Sequence, residues 1–145
     1  MNIRQVLQSK ATNAIWSVTS DALVFDALRL MAEKNIGAVL VVDDGQLTGI
    51  FSERDYARKG ILQGRSSRET PVSDMMTARV ITIAPEQKLE EAMLTMSDRH
   101  IRHLPVVDGD TLVGIISIND VVSAIIRDQK AHINSLQSYI SGSAY

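Results

Sequence analysis

Gly49-Ile50-Phe51-Ser52-Glu53-Arg54-Asp55 decides how the chain is read, because Gly114-Ile115-Ile116-Ser117-Ile118-Asn119-Asp120 says it again. Each copy is a glycine, two bulky apolar residues, a serine, two variable positions and an aspartate. The offset is 65 residues, and it holds without a gap from the first long helix to the closing aspartate. Val24, Ala27, Leu28 and Met31 follow one another at i, i+3, i+4 and i+7, the face of an amphipathic helix. Ser20 can cap that helix, and Asn35 and Gly37 can end it. Leu89, Ala92, Met93 and Met96 repeat the pattern behind Pro85, which suits a helix start. Ala38 to Val42 predicts a buried strand, Asp43-Asp44-Gly45 a turn, and Leu47 to Phe51 the returning strand. Leu104 to Val107, Asp108-Gly109 and Leu112 to Ile116 restate all three.

Each half reads as strand, helix, strand, strand, helix, an α/β (α+β) arrangement. A half of this size cannot bury both faces of a small sheet, so two copies should pack together. Ser52 opens a helix through Tyr56 to about Leu62. Gly60 to Pro71 has the composition of a connecting loop, with Gly64, Ser66 and Ser67 among Arg65, Arg68 and Glu69. The expected division is a first repeat over 7–62, a linker over 63–74, a second repeat over 75–128 and a helical tail over 129–145. In that last helix Ile126, Ile133, Leu136 and Ile140 form a narrow apolar stripe. Two heptads with Gln129 at a seam position suit a partner-docking helix better than a long coiled coil.

Bulk properties close off several functions. The chain has 145 residues, 45% hydrophobic and 22% charged, with a net charge of −2 and no cysteine. Disulfides, a thiolate zinc site and a cysteine nucleophile are excluded, and the charge argues against a nucleic-acid footprint. The longest apolar run, Ile36 to Val42, is too short to span a bilayer, and Met1 to Lys10 shows no secretory signal. The expectation is a soluble, cytoplasmic protein. There is no Gly-x-Gly-x-x-Gly turn, no loop ending in Gly-Lys-Ser or Gly-Lys-Thr, and no Gly-x-Ser-x-Gly elbow, so catalysis is not expected.

The repeated phrase has a structural reading first. Ser52 with Asp55, and Ser117 with Asp120, match the capping box that satisfies free amides at a helix start. Three features go beyond it. A helix N-terminus after a strand is a ready anion site. Arg54 and Arg58 can hold phosphate oxygens. An aspartate there can accept two hydrogen bonds from the vicinal diol of a ribose. His100 and His103 are spaced for one helical face, but local spacing suggests no third metal ligand, and solvated, capping or phosphate-facing roles are commoner. Trp16 reads as core before it reads as a stacking platform, and Met31, Met75, Met76, Met93 and Met96 read as core filler.

On these residues the chain resembles a tandem pair of cystathionine-beta-synthase (CBS) domains, the regulatory Bateman module. The marks are the two Gly-x-x-Ser-x-x-Asp phrases, Ile101-Arg102-His103-Leu104-Pro105-Val106-Val107, and Val72-Ser73-Asp74-Met75-Met76-Thr77. The resemblance covers about residues 7 to 128 and is similar to small stand-alone bacterial proteins of this type. It implies two repeats packed with pseudo-two-fold symmetry, an adenine nucleotide (AMP, ADP, ATP, NAD(H) or S-adenosylmethionine) in the cleft between them, and a flat homodimer. Carried over by position, Asp55 and Asp120 fall on the ribose-binding aspartate, and Ser52 and Ser117 where a hydroxyl approaches ribose or phosphate. Gly37 and Ala38, or Arg102 and His103, fall where backbone meets adenine, with Leu104 and Pro105 following in the same motif. Arg102 and His103 can also reach phosphate. Ile15, Thr77 and Val80 line the base pocket.

The halves differ: Ala38 answers to His103, Leu40 to Pro105, and Glu53-Arg54 to Ile118-Asn119, so the two sites should not bind alike. The leading expectation is a ligand-sensing module with no catalytic cofactor and an unidentified effector protein downstream. The alternative is a dimerising scaffold with degenerate ligand sites that docks a partner through the last helix. A nucleic-acid reading would use Arg54, Arg58, Lys59, Arg65 and Arg68 and would show steep salt dependence.

Overall fold

The computed structural model describes residues 1–142, so the last three residues of the expected 129–145 tail lie outside the described residues. The chain forms two compact units, one of residues 14–81 and the other of residues 1–13 with the chain from Thr82 onward.

In the 14–81 unit, β1 (Ser17–Val18) runs parallel to β2 (Ala38–Asp43), which pairs antiparallel with β3 (Gln46–Ser52). Parallel strands need a crossover, here the helix α2 (Val24–Lys34), which follows the N-terminal helix α1 (Ile3–Gln8) in the chain. Val24, Ala27 and Met31 of α2 are buried against Val39, Val41 and Phe51 of the sheet, with Val72 and Met75 closing the same core. Leu28 is only partly buried. Asn35 ends the helix in the left-handed region at φ 54°, the geometry expected of a C-cap.

The N-terminus of α2 departs from the sequence reading. Its N-cap is Leu23 and no side chain caps it. Its first amides are met by backbone instead, Val24 N–H on the Thr70 carbonyl and Phe25 N–H on the Ser67 carbonyl, both at 2.9 Å. Ser20 is therefore free for another task, and its N–H donates to Asp43 Oδ1 at 2.9 Å. Ser20 and Thr48 together hold the Asp43 carboxyl below the usual carboxylate range. After β3, α3 (Glu53–Asp55) widens into a π-turn over Tyr56–Gly60 and a 3₁₀ turn over Ile61–Gln63, where a plain helix to Leu62 was expected. Gly60 marks the change. A Cβ there would lie 2.8 Å from the Tyr56 ring and 3.2 Å from Met75 Cε, so the bare backbone is what those side chains pack on.

The other unit begins with α1 (Ile3–Gln8), closed by a capping box between Asn2 and Gln5, with Ile3 and Val6 fully buried. α1 docks on the 84–88 turn through Ile3 N–H to the Gln87 carbonyl and Arg4 N–H to the Pro85 carbonyl, both 2.9 Å. That turn displaces the expected helix start. α4 runs Leu89–Arg99 with Lys88 as N-cap, four residues after Pro85. Leu89, Ala92 and Met96 are buried, while Met93 is 43% exposed and is not core filler. β4 (His103–Asp108) pairs antiparallel with β5 (Thr111–Ser117), and Ile83 bridges Val106 in parallel, as Val18 meets Val41 in the first copy.

The internal offset is visible in backbone detail. His100 ends α4 at φ 54° as Asn35 ends α2. Both hairpins carry an irregularity at the same place, between Val41 and Val42 and between Val106 and Val107. Their turns differ. Asp44 and Gly45 both have positive φ, the type I′ pattern, whereas Gly109 alone does in the second hairpin, the type II′ pattern. α5 (Ile118–Gly142) buries Val121 and Ala124, then leaves Ile126, Ile133, Leu136 and Ile140 exposed.

Candidate ligand site

Each unit builds one site where its second hairpin strand runs into a helix. In the 14–81 unit, the Ser52 N–H and Oγ–H both donate to Asp55 Oδ2, at 3.0 and 3.1 Å, and the Asp55 N–H returns to Ser52 Oγ at 3.1 Å. The capping-box reading is correct, and it has a consequence. One carboxylate oxygen is fixed by the backbone, so the other is held in place as well. That oxygen, Oδ1, accepts from Thr77 Oγ1 at 3.3 Å and faces Lys59 Nζ at 3.4 Å. Thr77 is positioned by reciprocal backbone bonds with Ile50, at 2.8 and 3.0 Å. The Gly37 carbonyl accepts from Glu53 N–H at 3.1 Å, and Ala38 lies buried opposite Ser52.

The second site repeats this frame. The Ser117 N–H donates to Asp120 Oδ2 at 2.8 Å, and the Asp120 N–H donates to Ser117 Oγ at 3.2 Å. The Arg102 carbonyl accepts from Ile118 N–H at 2.8 Å, the counterpart of Gly37 with Glu53. His103 stands opposite Ser117 across the hairpin. Lys10 Nζ reaches both Asp120 Oδ2, at 3.2 Å, and the Ile115 carbonyl, at 2.8 Å. A cavity of about 350 Å³ opens beside Asp120, lined among others by Ser9, Lys10, Thr12, Ser123 and Arg127.

Ile15 is exposed, Val80 is half-buried, and the Arg54 side chain is exposed. Leu104 and Pro105 are buried in β4, where the Pro105 carbonyl accepts from Ile83 N–H at 3.0 Å. Trp16 is 36% exposed with Lys34 Nζ 4.3 Å from its ring centroid, so it is not core. Sequence reasoning did not place Lys59 beside Asp55, nor find Ser9, Lys10, Thr12, Ser123 and Arg127. One signal was present: Thr12 and Thr77 are the same residue at the repeat offset. Among the described residues, no group of three or more His, Cys, Asp or Glu could hold a metal ion. No described helix is long and apolar enough to cross a membrane.

Burial holds the His103 imidazole below its ordinary range; Asp120 opposes that, and Arg102 and Lys10 add to it. In the window just below the usual histidine value, the unfolded chain binds a proton that the folded chain refuses. Stability therefore rises with pH there and is lost as pH falls through it. Thermal melts between about pH 5 and 8 should show that limb, and His103→Gln should flatten it. An identical slope in the variant would remove His103 as its source.

Two hairpin–helix units, each with a capped aspartate at the same offset, define the class of protein. The CBS domain family is matched twice, over residues 3–60 and 72–127. The chain belongs to the CBS domain family and carries two copies in tandem. It is similar to the CBS domain-containing protein CBSX3, mitochondrial, of Arabidopsis thaliana, at 42% identity over 149 residues, spanning 97% of this chain and 72% of the relative. Among solved structures, a CBS-domain protein from Burkholderia ambifaria MC40-6 matches at 48% identity and TM-score 0.86, covering 89% of this chain and 96% of that one. The CBS domain pair of protein MJ0100 shares the fold at TM-score 0.76 and 24% identity, over 89% of this chain and 98% of that one.

Proposed function

We propose that this chain is a regulatory ligand-sensing module that binds an adenosine nucleotide through Asp55, Asp120 or both, and is not an enzyme. The observation that carries this reading is the duplicated carboxylate, fixed by a serine N–H at 3.0 Å in one unit and 2.8 Å in the other. A pre-positioned carboxylate suits a vicinal diol, because it accepts two hydrogen bonds with little ordering cost. Lys59 beside Asp55 and Lys10 beside Asp120 supply the charge a phosphate needs. The fold lends support as well, since the CBS domain pair of protein MJ0100 was crystallised with 5′-methylthioadenosine and S-adenosyl-L-methionine. Binding signals by favouring one arrangement of a homodimer over another, which requires the ligand to prefer that arrangement.

Titration calorimetry against AMP, ATP, NADH and S-adenosylmethionine tests the reading. Saturable binding is expected, and Asp55→Ala or Asp120→Ala should weaken it at the affected site. Each lost hydrogen bond to a charged group is worth about 1.5–3 kcal/mol, roughly tenfold to a hundredfold in Kd. No heat from any ligand, on protein freed of co-purified nucleotide, would overturn it.

A second reading, a dimerising scaffold that docks an effector protein, is favoured by the exposed stripe of Ile126, Ile133, Leu136 and Ile140 on α5. The double aspartate variant separates the two. A sensor loses nucleotide binding, whereas a scaffold keeps its assembly and its partner.

A further inference from the structure

The cavity beside Asp120 holds more than a diol anchor. Lys10 and Arg127 bring two cations to its wall, Ser9, Thr12 and Ser123 bring three hydroxyls, and Asp120 is the acid among them. Lys10 Nζ donates to the Ile115 carbonyl and forms an ion pair with Asp120 Oδ2, and an ammonium carries three donors. Arg127 Nη2 gives one to Ser9 Oγ at 2.9 Å, and a guanidinium carries five. Both cations thus keep donors for a ligand while protein oxygens hold them in place. The volume, about 350 Å³, falls within the usual range for small-molecule sites.

These cations have no counterpart in the other copy. At the repeat offset Lys10 answers to Met75, fully buried in the core of the 14–81 unit, and Arg127 answers to Leu62, 77% exposed. There the lysine beside the aspartate comes instead from the helix itself, as Lys59 four residues after Asp55. The position equivalent to Lys59 is Ala124, buried in α5. The Lys10–Arg127 wall is therefore a property of the Asp120 site alone.

We infer that this wall binds the phosphate chain of the nucleotide whose ribose Asp120 takes, so that this site selects phosphorylated over unphosphorylated adenosine ligands. The inference rests on the nucleotide-sensing reading for the identity of the ligand. It adds which site takes the phosphates and which residues hold them. The phosphates leave the ribose at C5′, so a diol anchor and a cationic wall in one cavity can serve a single molecule. Arg127 is the stronger specifier, because its planar fork can meet two phosphate oxygens at once.

The test compares adenosine, AMP, ATP and inorganic pyrophosphate by calorimetry on the whole chain, with Lys10→Met, Arg127→Leu, the double variant and Arg127→Lys. Thermal melts verify that each is folded. The first two substitutions install the residues of the other copy. The ratio of ATP to adenosine affinity at one site should exceed unity and fall about tenfold with each substitution, with Arg127→Lys recovering part of the loss. A ratio unchanged in the folded double variant overturns the inference and leaves nucleotide sensing intact, as does adenosine binding with no gain from phosphates. Pyrophosphate binding that the double variant abolishes, without binding of any nucleoside, keeps the anion wall and overturns the nucleotide reading. Binding of none of the four overturns both.

Discussion

Phe51→Ala is expected to lower the unfolding free energy by about 3–5 kcal/mol, the usual cost of emptying a buried aromatic position. For a chain of this length that is a fall in melting temperature of roughly 10–16 °C. Phe51 is fully buried, and it sits in the cluster where α2, β2 and the 72–75 turn meet, beside Val24, Ala27, Met31, Val39, Val41, Val72 and Met75. Its neighbours on α2 and β2 are held by regular structure, so the void cannot collapse cheaply. The position carries a second duty. Ser52 follows it directly, so a relaxed β3 would move the capping serine and the Asp55 carboxylate with it. Urea unfolding followed by circular dichroism measures the cost, and a loss below about 1 kcal/mol would show that the ring is not a core element. Ile116 stands at the same place in the second copy and is also fully buried. Ile116→Ala should cost about 2–5 kcal/mol.

The second large effect concerns the glycine that opens each phrase. Gly49→Val is expected to destabilise by about 1–3 kcal/mol, the range for forcing atoms into a packed region. A Cβ at Gly49 would lie 2.6 Å from Met76 Sδ and 3.1 Å from the Thr77 carbonyl oxygen. The methionine can swing away, but the carbonyl cannot, because it accepts from Ile50 N–H in the reciprocal pair that positions Thr77. The variant should therefore weaken ligand binding at Asp55 together with stability. Gly114→Val is a milder case. The nearest atoms its Cβ would meet belong to the Leu7 side chain, 2.8 Å away at Cδ2, and Leu7 is half-buried with a flexible end. Its cost should sit near the bottom of the same range, about 1 kcal/mol. Equal melting temperatures for the two variants would contradict this account.

The residues that announced the fold did so through local chemistry. Asn35 and His100 end their helices in the same left-handed conformation, and Val24, Ala27 and Met31 bury the face their spacing foretold. Ser52 with Asp55 and Ser117 with Asp120 cap as the motif requires. What sequence reasoning missed depends on partners far along the chain. Ser20 looked like a cap, yet the amides of α2 are met by the carbonyls of Ser67 and Thr70. Pro85 looked like a helix start, yet its carbonyl serves Arg4, 81 residues away in sequence. Lys10 lies 110 positions before the Asp120 it pairs with, and no periodicity joins them. The π-turn at Tyr56–Gly60 escaped notice because Gly60 is its one local mark, and Met75, which packs close to that bare backbone, lies further along the chain.

The division of the chain into units has a consequence for how it is made. The repeated sequence is contiguous in both copies, but only the 14–81 unit is a single run of chain; the other joins residues 1–13 to the chain from Thr82 onward. Synthesis delivers residues in order, and domains close as units once their parts exist. Residues 14–81 leave the ribosome as one run of chain, with the whole of their own unit. The helix α1 emerges before any of them and waits for the 84–88 turn, α4 and β5 to be built. Contacts across that span carry the loop-closure cost that slows folding, so α1, translated before the 14–81 unit, finds its place after it.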